Sequence, residues 1–127
     1  MTELTCLELS VILWLAHVLT QALIARGELG DDYLFTPRDQ DPATSSISLG
    51  RATRALSNYV ENLGPFVALD LGLIATNHTG GIGASIWIIA RILYLPIYIM
   101  GIKYVRTACW VVSVVGLLMM LGRLAGY

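Results

Sequence analysis

Arg51, Arg54, Asn58 and Glu61 step along the chain by three, four and three residues. In a helix that spacing stacks two guanidiniums, an amide and a carboxylate on one face. Two cations and one anion so placed match a zwitterionic ligand with two carboxylates and one amine, because arginine grips carboxylates bidentately and glutamate pairs with an ammonium. The same four groups equally suit an internal salt-bridge network that ties a bundle together. From Phe66 the chain reads FVALDLGLIA, a bilayer composition. Lipid penalises one central charge by roughly 2.5–3.5 kcal/mol. The stripe is therefore expected to look inward, at other helices, at water or at a polar ligand. Two further groups stand apart from it. His17 and Gln21 are helical neighbours that fit either an interior polar cluster or simple hydrogen-bonded packing. Asp70 lies nine positions after Glu61, which turns it about 180° away from the stripe. Its role is expected to be structural, against His17, another helix or a neighbouring subunit, or as a protonated carboxyl bonded to a carbonyl.

The elements that position these residues follow from composition. The 127 residues are 56% hydrophobic and 13% charged, with a mean hydropathy of +0.69. A soluble domain averages about 25% charged, so an integral membrane protein is the natural class. The net charge of −1 provides no basic surplus for nucleic acid. Neither cysteine, Cys6 or Cys109, has metal-ligand spacing or belongs to a disulfide framework, and no metal site is read. Glu3 makes the N-terminus acidic, without the basic region of a cleavable signal, so the first apolar segment is expected to stay in the membrane. Apolar periodicity predicts an all-α membrane four-helix bundle in one domain, with spans over about 4–26, 50–76, 82–100 and 104–122. Residues 28–49 hold turn formers, prolines and mixed charges and are expected to form a loop outside the bilayer, with Ser46 or Ser48 capping the next helix. Asn77 to Gly83 forms a glycine-rich turn, and Asn77-His78-Thr79 matches a glycosylation sequon.

Arg26, Arg38, Arg51, Arg54, Lys103 and Arg106 sit in or beside the first and third connections, whereas the middle turn has no basic residue. The positive-inside rule then places segments 28–49 and 101–105 in the cytoplasm and both termini on the opposite side. Cys6 would lie near the outer face and Cys109 near the cytoplasmic one, too far apart to pair and distinguishable by an impermeant maleimide. The polar stripe, Arg91, Tyr94, Tyr98 and Arg106 all converge at one membrane face. Arg91 is expected to pair within the bundle, with Glu61 as its candidate partner.

Two stretches carry a resemblance. R-x-x-R-x-x-x-N-x-x-E-x-x-x-P, here Arg51, Arg54, Asn58, Glu61 and Pro65, resembles the second helix of the membrane-associated proteins in eicosanoid and glutathione metabolism (MAPEG). R-x-x-Y-x-x-x-Y, here Arg91, Tyr94 and Tyr98, is similar to the end of that family's third helix, and Gln21 to Arg26 resembles the end of its first. The resemblance implies a homotrimer with glutathione held between subunits near the cytoplasmic face. It places Arg26, Arg51, Arg54, Asn58, Glu61, Arg91, Tyr94 and Tyr98 around the tripeptide. It also implies that Arg106, opening the fourth helix, lowers the pKa of the glutathione thiol. An opposite charge within about 4–6 Å does so by about 1–3 units. The alternative for Arg106 is an anchor at lipid headgroups.

Ile97, preceded by Pro96, stands where the family's leukotriene-acting synthases carry glycine, and Arg106 lies one position further from Tyr98 than in those enzymes. The likeness is thus to a general, bacterial-type member of an inner membrane. The function implied is a glutathione transferase or peroxidase acting on hydrophobic electrophiles or lipid hydroperoxides, among membrane lipids. Two other classes remain. One is a non-catalytic lipid-binding or scaffold protein. The other is an accessory subunit or an ion- or proton-conducting protein, with Asp70, His17 and Glu61 as relay groups.

Overall fold

The computed structural model describes residues 1–39 and 46–127. It contains four helices: α1 (Glu3–Leu34), α2 (Ile47–Ala75), α3 (Gly83–Met100) and α4 (Val105–Leu124). α1, α3 and α4 are long and apolar enough to cross a membrane. The chain is an all-α membrane bundle. α1 lies chiefly on α2 and α3 on α4, with α2 also touching both α3 and α4.

α1 runs past its expected end near residue 26. The Glu28-Leu29 pair stays helical, and the break falls at Gly30, whose φ of +79° is non-helical. Arg26 reaches over that break to Asp31 at 2.9 Å. The expected loop over 28–49 is shortened at the other end too, because α2 begins at Ile47. Its middle, residues 40–45, lies outside the described residues. Ser46 is the N-cap: its hydroxyl oxygen accepts the Leu49 N–H at 3.0 Å and its hydroxyl bonds Glu28. α2 then continues helical through Pro65. A proline cannot bond the carbonyl four residues back, which here is that of Glu61.

The core lies between the first three helices and is aromatic. Trp87 stacks on Phe66, with ring centroids 3.9 Å apart, and tilts against Tyr59 at 5.7 Å. Tyr59 donates its hydroxyl to the Ser10 carbonyl at 2.6 Å and stacks on His17 at 4.4 Å. His17 donates from Nδ1 to the Leu13 carbonyl at 2.7 Å. It is the hydrogen-bonded packing histidine, and not the partner of Asp70. α3 and α4 approach backbone to backbone at Gly83 and Gly116, where a Cβ on either would come within 2.8 Å of the other's carbonyl oxygen.

Glu3 accepts the Gly80 N–H at 2.7 Å and so ties the start of α1 to the turn between α2 and α3. Cys6 packs in the cluster at this end with Leu73, Ala84 and Met120. Cys109 packs at the other end, against Ala55, Tyr94 and Tyr98. Both thiols are free. Cys6 has no exposed surface, so maleimide would sense its burial whichever way the chain crosses the membrane. That labelling contrast does not report orientation.

Candidate functional site

α2 buries Ala52, Ala55, Tyr59, Phe66, Asp70 and Leu73, a repeat of three, four and seven residues that defines its inner face. The polar stripe flanks that face. Asn58 and Arg51 are half-buried, but Arg54 and Glu61 are exposed. Of the surroundings expected for the stripe, the chain's own helices therefore supply none that buries these two. Small and aromatic residues have taken the inner face, because close helix packing favours them over charges.

Arg91, on α3, has no exposed surface. Its Nη1 donates to the Asn58 Oδ1 at 2.7 Å, so its partner is this amide and not Glu61. Its guanidinium carbon lies 5.6 Å from the centre of the Trp87 ring and 5.2 Å from that of Tyr94. These are cation–π distances. Its Nε and Nη2 have no hydrogen-bond partner among the described residues. Among the described residues no carboxylate pairs with it, the one ion pair being Arg26–Asp31. Asn62, one turn on, donates to the Asn58 main-chain carbonyl at 2.9 Å.

Asn58 and Tyr94 open onto a cleft of about 270 Å³, completed by Tyr98, Arg106, Thr107 and Trp110. Tyr94 and Tyr98 are tilted with centroids 5.4 Å apart, and the Arg106 guanidinium lies 4.8 Å from the Tyr98 ring centre. Arg106 and Thr107 belong to the first turn of α4, which has no side-chain cap and so carries unpaired N–H groups. The lining holds one cation and no carboxylate, with a second cation buried behind Asn58 and Tyr94. Such a site favours an anion.

The structure thus brings together Asn58, Arg91, Tyr94, Tyr98 and Arg106. It sets the remaining expected residues elsewhere. Arg26 is exposed and paired with Asp31, in a separate cleft with Leu34, Phe35 and Arg38. Arg51 donates to the Ile99 carbonyl at 3.1 Å. Arg54 folds back over Gly50, where a Cβ would meet its Nη1 at 3.2 Å. Thr107 and Trp110 are cleft residues that sequence reading passed over. Their signal was the helical spacing from Arg106, which places Trp110 one turn further along the same side.

The family model described as MAPEG family matches residues 5–126 of the chain. No curated protein and no solved structure matches it.

Proposed function

The chain belongs to the MAPEG family, which includes glutathione transferases, peroxidases and eicosanoid-synthesis proteins. On that premise we propose that it is a membrane-bound glutathione-dependent transferase or peroxidase acting on hydrophobic electrophiles or lipid hydroperoxides. Arg91 carries this reading: a fully buried guanidinium with one amide partner, two partnerless nitrogens and no carboxylate. A buried cation without a counter-ion costs several kcal/mol. An anionic ligand held by the cleft residues that touch it offsets that cost.

Glutathione when bound supplies a thiol, whose thiolate is the nucleophile. With a free-thiol pKa of about 8.5, only a few per cent is ionised at neutral pH. Arg106 and the uncapped first turn of α4 favour the anion at the cleft mouth. Arg91 holds the Asn58 oxygen, so the amide can turn its NH2 to a carboxylate, and Tyr94 and Tyr98 pack against the tripeptide. Trp110, 40% exposed at the rim, offers an apolar surface for the second substrate. Arg54 and Glu61, exposed on a membrane helix, are expensive to leave in lipid. A second copy laid over that face would cover them and bring them to the ligand, which supports the homotrimer of the family resemblance.

The test is thermal unfolding in detergent. Glutathione and S-hexyl-glutathione should both raise the melting temperature, since a ligand at about 100 times its Kd stabilises by about 2.7 kcal/mol. The same tripeptide with an ordinary α-linkage should not. No shift with any of them would remove the glutathione reading and leave the lipid-binding scaffold.

A further inference from the structure

α3 ends in a turn that Gly101 makes possible. Gly101 has a φ of +71°, its N–H donates to the Tyr98 carbonyl at 3.0 Å, and the Ile102 N–H donates to the Ile97 carbonyl at 3.3 Å. This is the Schellman pattern. Neither bond uses the carbonyl of Ile99. Arg51 supplies the donor from another helix, its Nη1 lying 3.1 Å from that oxygen. A cation is favoured there, because the end of a helix carries partial negative charge. The guanidinium sits so close to Gly101 that a Cβ on that residue would collide with it. Arg51 thus clamps both the last turn of α3 and the residue that reverses the chain.

The clamped turn leads directly to the cleft. Tyr104 holds a φ of +63° and forms the N-cap of α4, without a side-chain cap, and Arg106 follows in the first turn. Arg106 lies over Tyr98, whose carbonyl accepts the Gly101 N–H. The two members of that contact are therefore joined by the short segment whose start Arg51 fixes.

We infer that Arg51 is a positioning residue: it holds the α3–α4 turn, and through it the placement of Arg106 over Tyr98, without contacting the ligand. This rests on the cleft being the glutathione site. It separates Arg51 from Arg54, although the two share one helical face.

The experiment uses the full chain in detergent with Arg51→Ala, Arg51→Lys, Gly101→Asn and the double variant Arg51→Ala with Gly101→Asn. Asparagine accommodates a positive φ better than most residues but carries the colliding Cβ. Hydrogen exchange at residues 102–108 is read without ligand. Glutathione Kd and the pH midpoint of the bound-thiolate ultraviolet band are read with it. Arg51→Ala should speed exchange there about tenfold or more, with the α1 amides unchanged. Glutathione Kd should move by less than about threefold. The thiolate midpoint should rise, lowering the ionised fraction at neutral pH at least about threefold. Gly101→Asn should reproduce this, the double variant should be no worse than either single, and Arg51→Lys should restore part of it. A Kd raised about tenfold or more in Arg51→Ala with exchange unchanged would make Arg51 a ligand contact and overturn the inference. So would additive effects in the double variant. If the parent chain binds no glutathione, the reading of the cleft fails, and the exchange arm alone still decides whether Arg51 holds the turn. Should Arg51→Ala not fold, Arg51→Lys and Gly101→Asn carry the same comparison.

Discussion

Arg91 and Asp70 are both ionisable and both without exposed surface within the bundle, yet their surroundings differ. Arg91 has an amide oxygen, two aromatic faces and a cleft in front of the groups that hold it. Among the described residues, Asp70 has no hydrogen-bond partner for either oxygen and no ion-pair partner. Its full burial within the chain also excludes direct contact with a second copy, one of the partners expected for it. A buried ionisable group is thus not by itself a sign of function. What distinguishes Arg91 is that its partly satisfied side chain is connected through Asn58 and Tyr94 to a place where a ligand fits.

The comparison breaks most readily at Arg106, the cation on the open side of the Arg91 cleft. Arg106→Ala should remove the bound-thiolate band and lower turnover about tenfold to a thousandfold, the equivalent of 1–3 pKa units, while glutathione still binds. An unchanged band would make Arg106 a headgroup anchor. Arg91→Met comes next, because it keeps length and burial but removes the charge. Losing the charge-assisted bond that orients Asn58, worth about 1.5–3 kcal/mol, together with the buried charge behind the cleft, should weaken glutathione binding about tenfold to a hundredfold by titration calorimetry. An unchanged Kd with a lower melting temperature would put Arg91 in the same structural class as Asp70. Tyr94→Phe keeps the ring against Arg91 and removes one hydroxyl. We expect a loss of about 1 kcal/mol, roughly fivefold in Kd, and no change would limit Tyr94 to packing. The smallest effect belongs to Asp70→Asn. Ligand Kd should stay within about twofold, with only stability or assembly altered. Lost binding in a chain that still assembles would erase the distinction drawn between the two regions.

The membrane class and helix count were legible from composition and apolar periodicity, because those signals are summed over many residues. So was a serine cap on α2, a local side-chain-to-backbone bond, though only the structure chooses Ser46 over Ser48. The end of α1 was not: turn formers at Gly27 and Gly30 suggested a loop, but a single break at Gly30 with Arg26 pairing across it let the helix run on to Leu34. At the cleft, the family resemblance put Arg91, Tyr94 and Tyr98 together, and the structure sets Tyr94 against both of the others. Helical spacing alone left more open. It could not tell Arg51, Arg54 and Glu61 apart from Asn58, because a shared face does not say which neighbour each long side chain will reach. Ile99 claimed Arg51 through a carbonyl, a group every residue possesses and no motif marks. Arg91 took Asn58 in place of Glu61 for a related reason, since the carboxylate lies on the exposed side of α2.

The contact of Gly83 with Gly116 gives the bundle a fulcrum. There the two backbones touch with no side chain between them, whereas the first turn of α4 is exposed at the other end. Arg106 precedes Gly116 by ten residues, a lever arm of about 15 Å at 1.5 Å per residue. A tilt of about 5° at the fulcrum then swings the Arg106 backbone by a little over 1 Å, a displacement on the scale that degrades a reacting geometry. Spin-label distances from α4's first turn to α3 would lengthen in Gly116→Ala if the lever operates, and would stay fixed if it does not. On this geometry the alignment of the cleft is set largely midway along α4 and at the start of α3, by two residues that touch nothing in it.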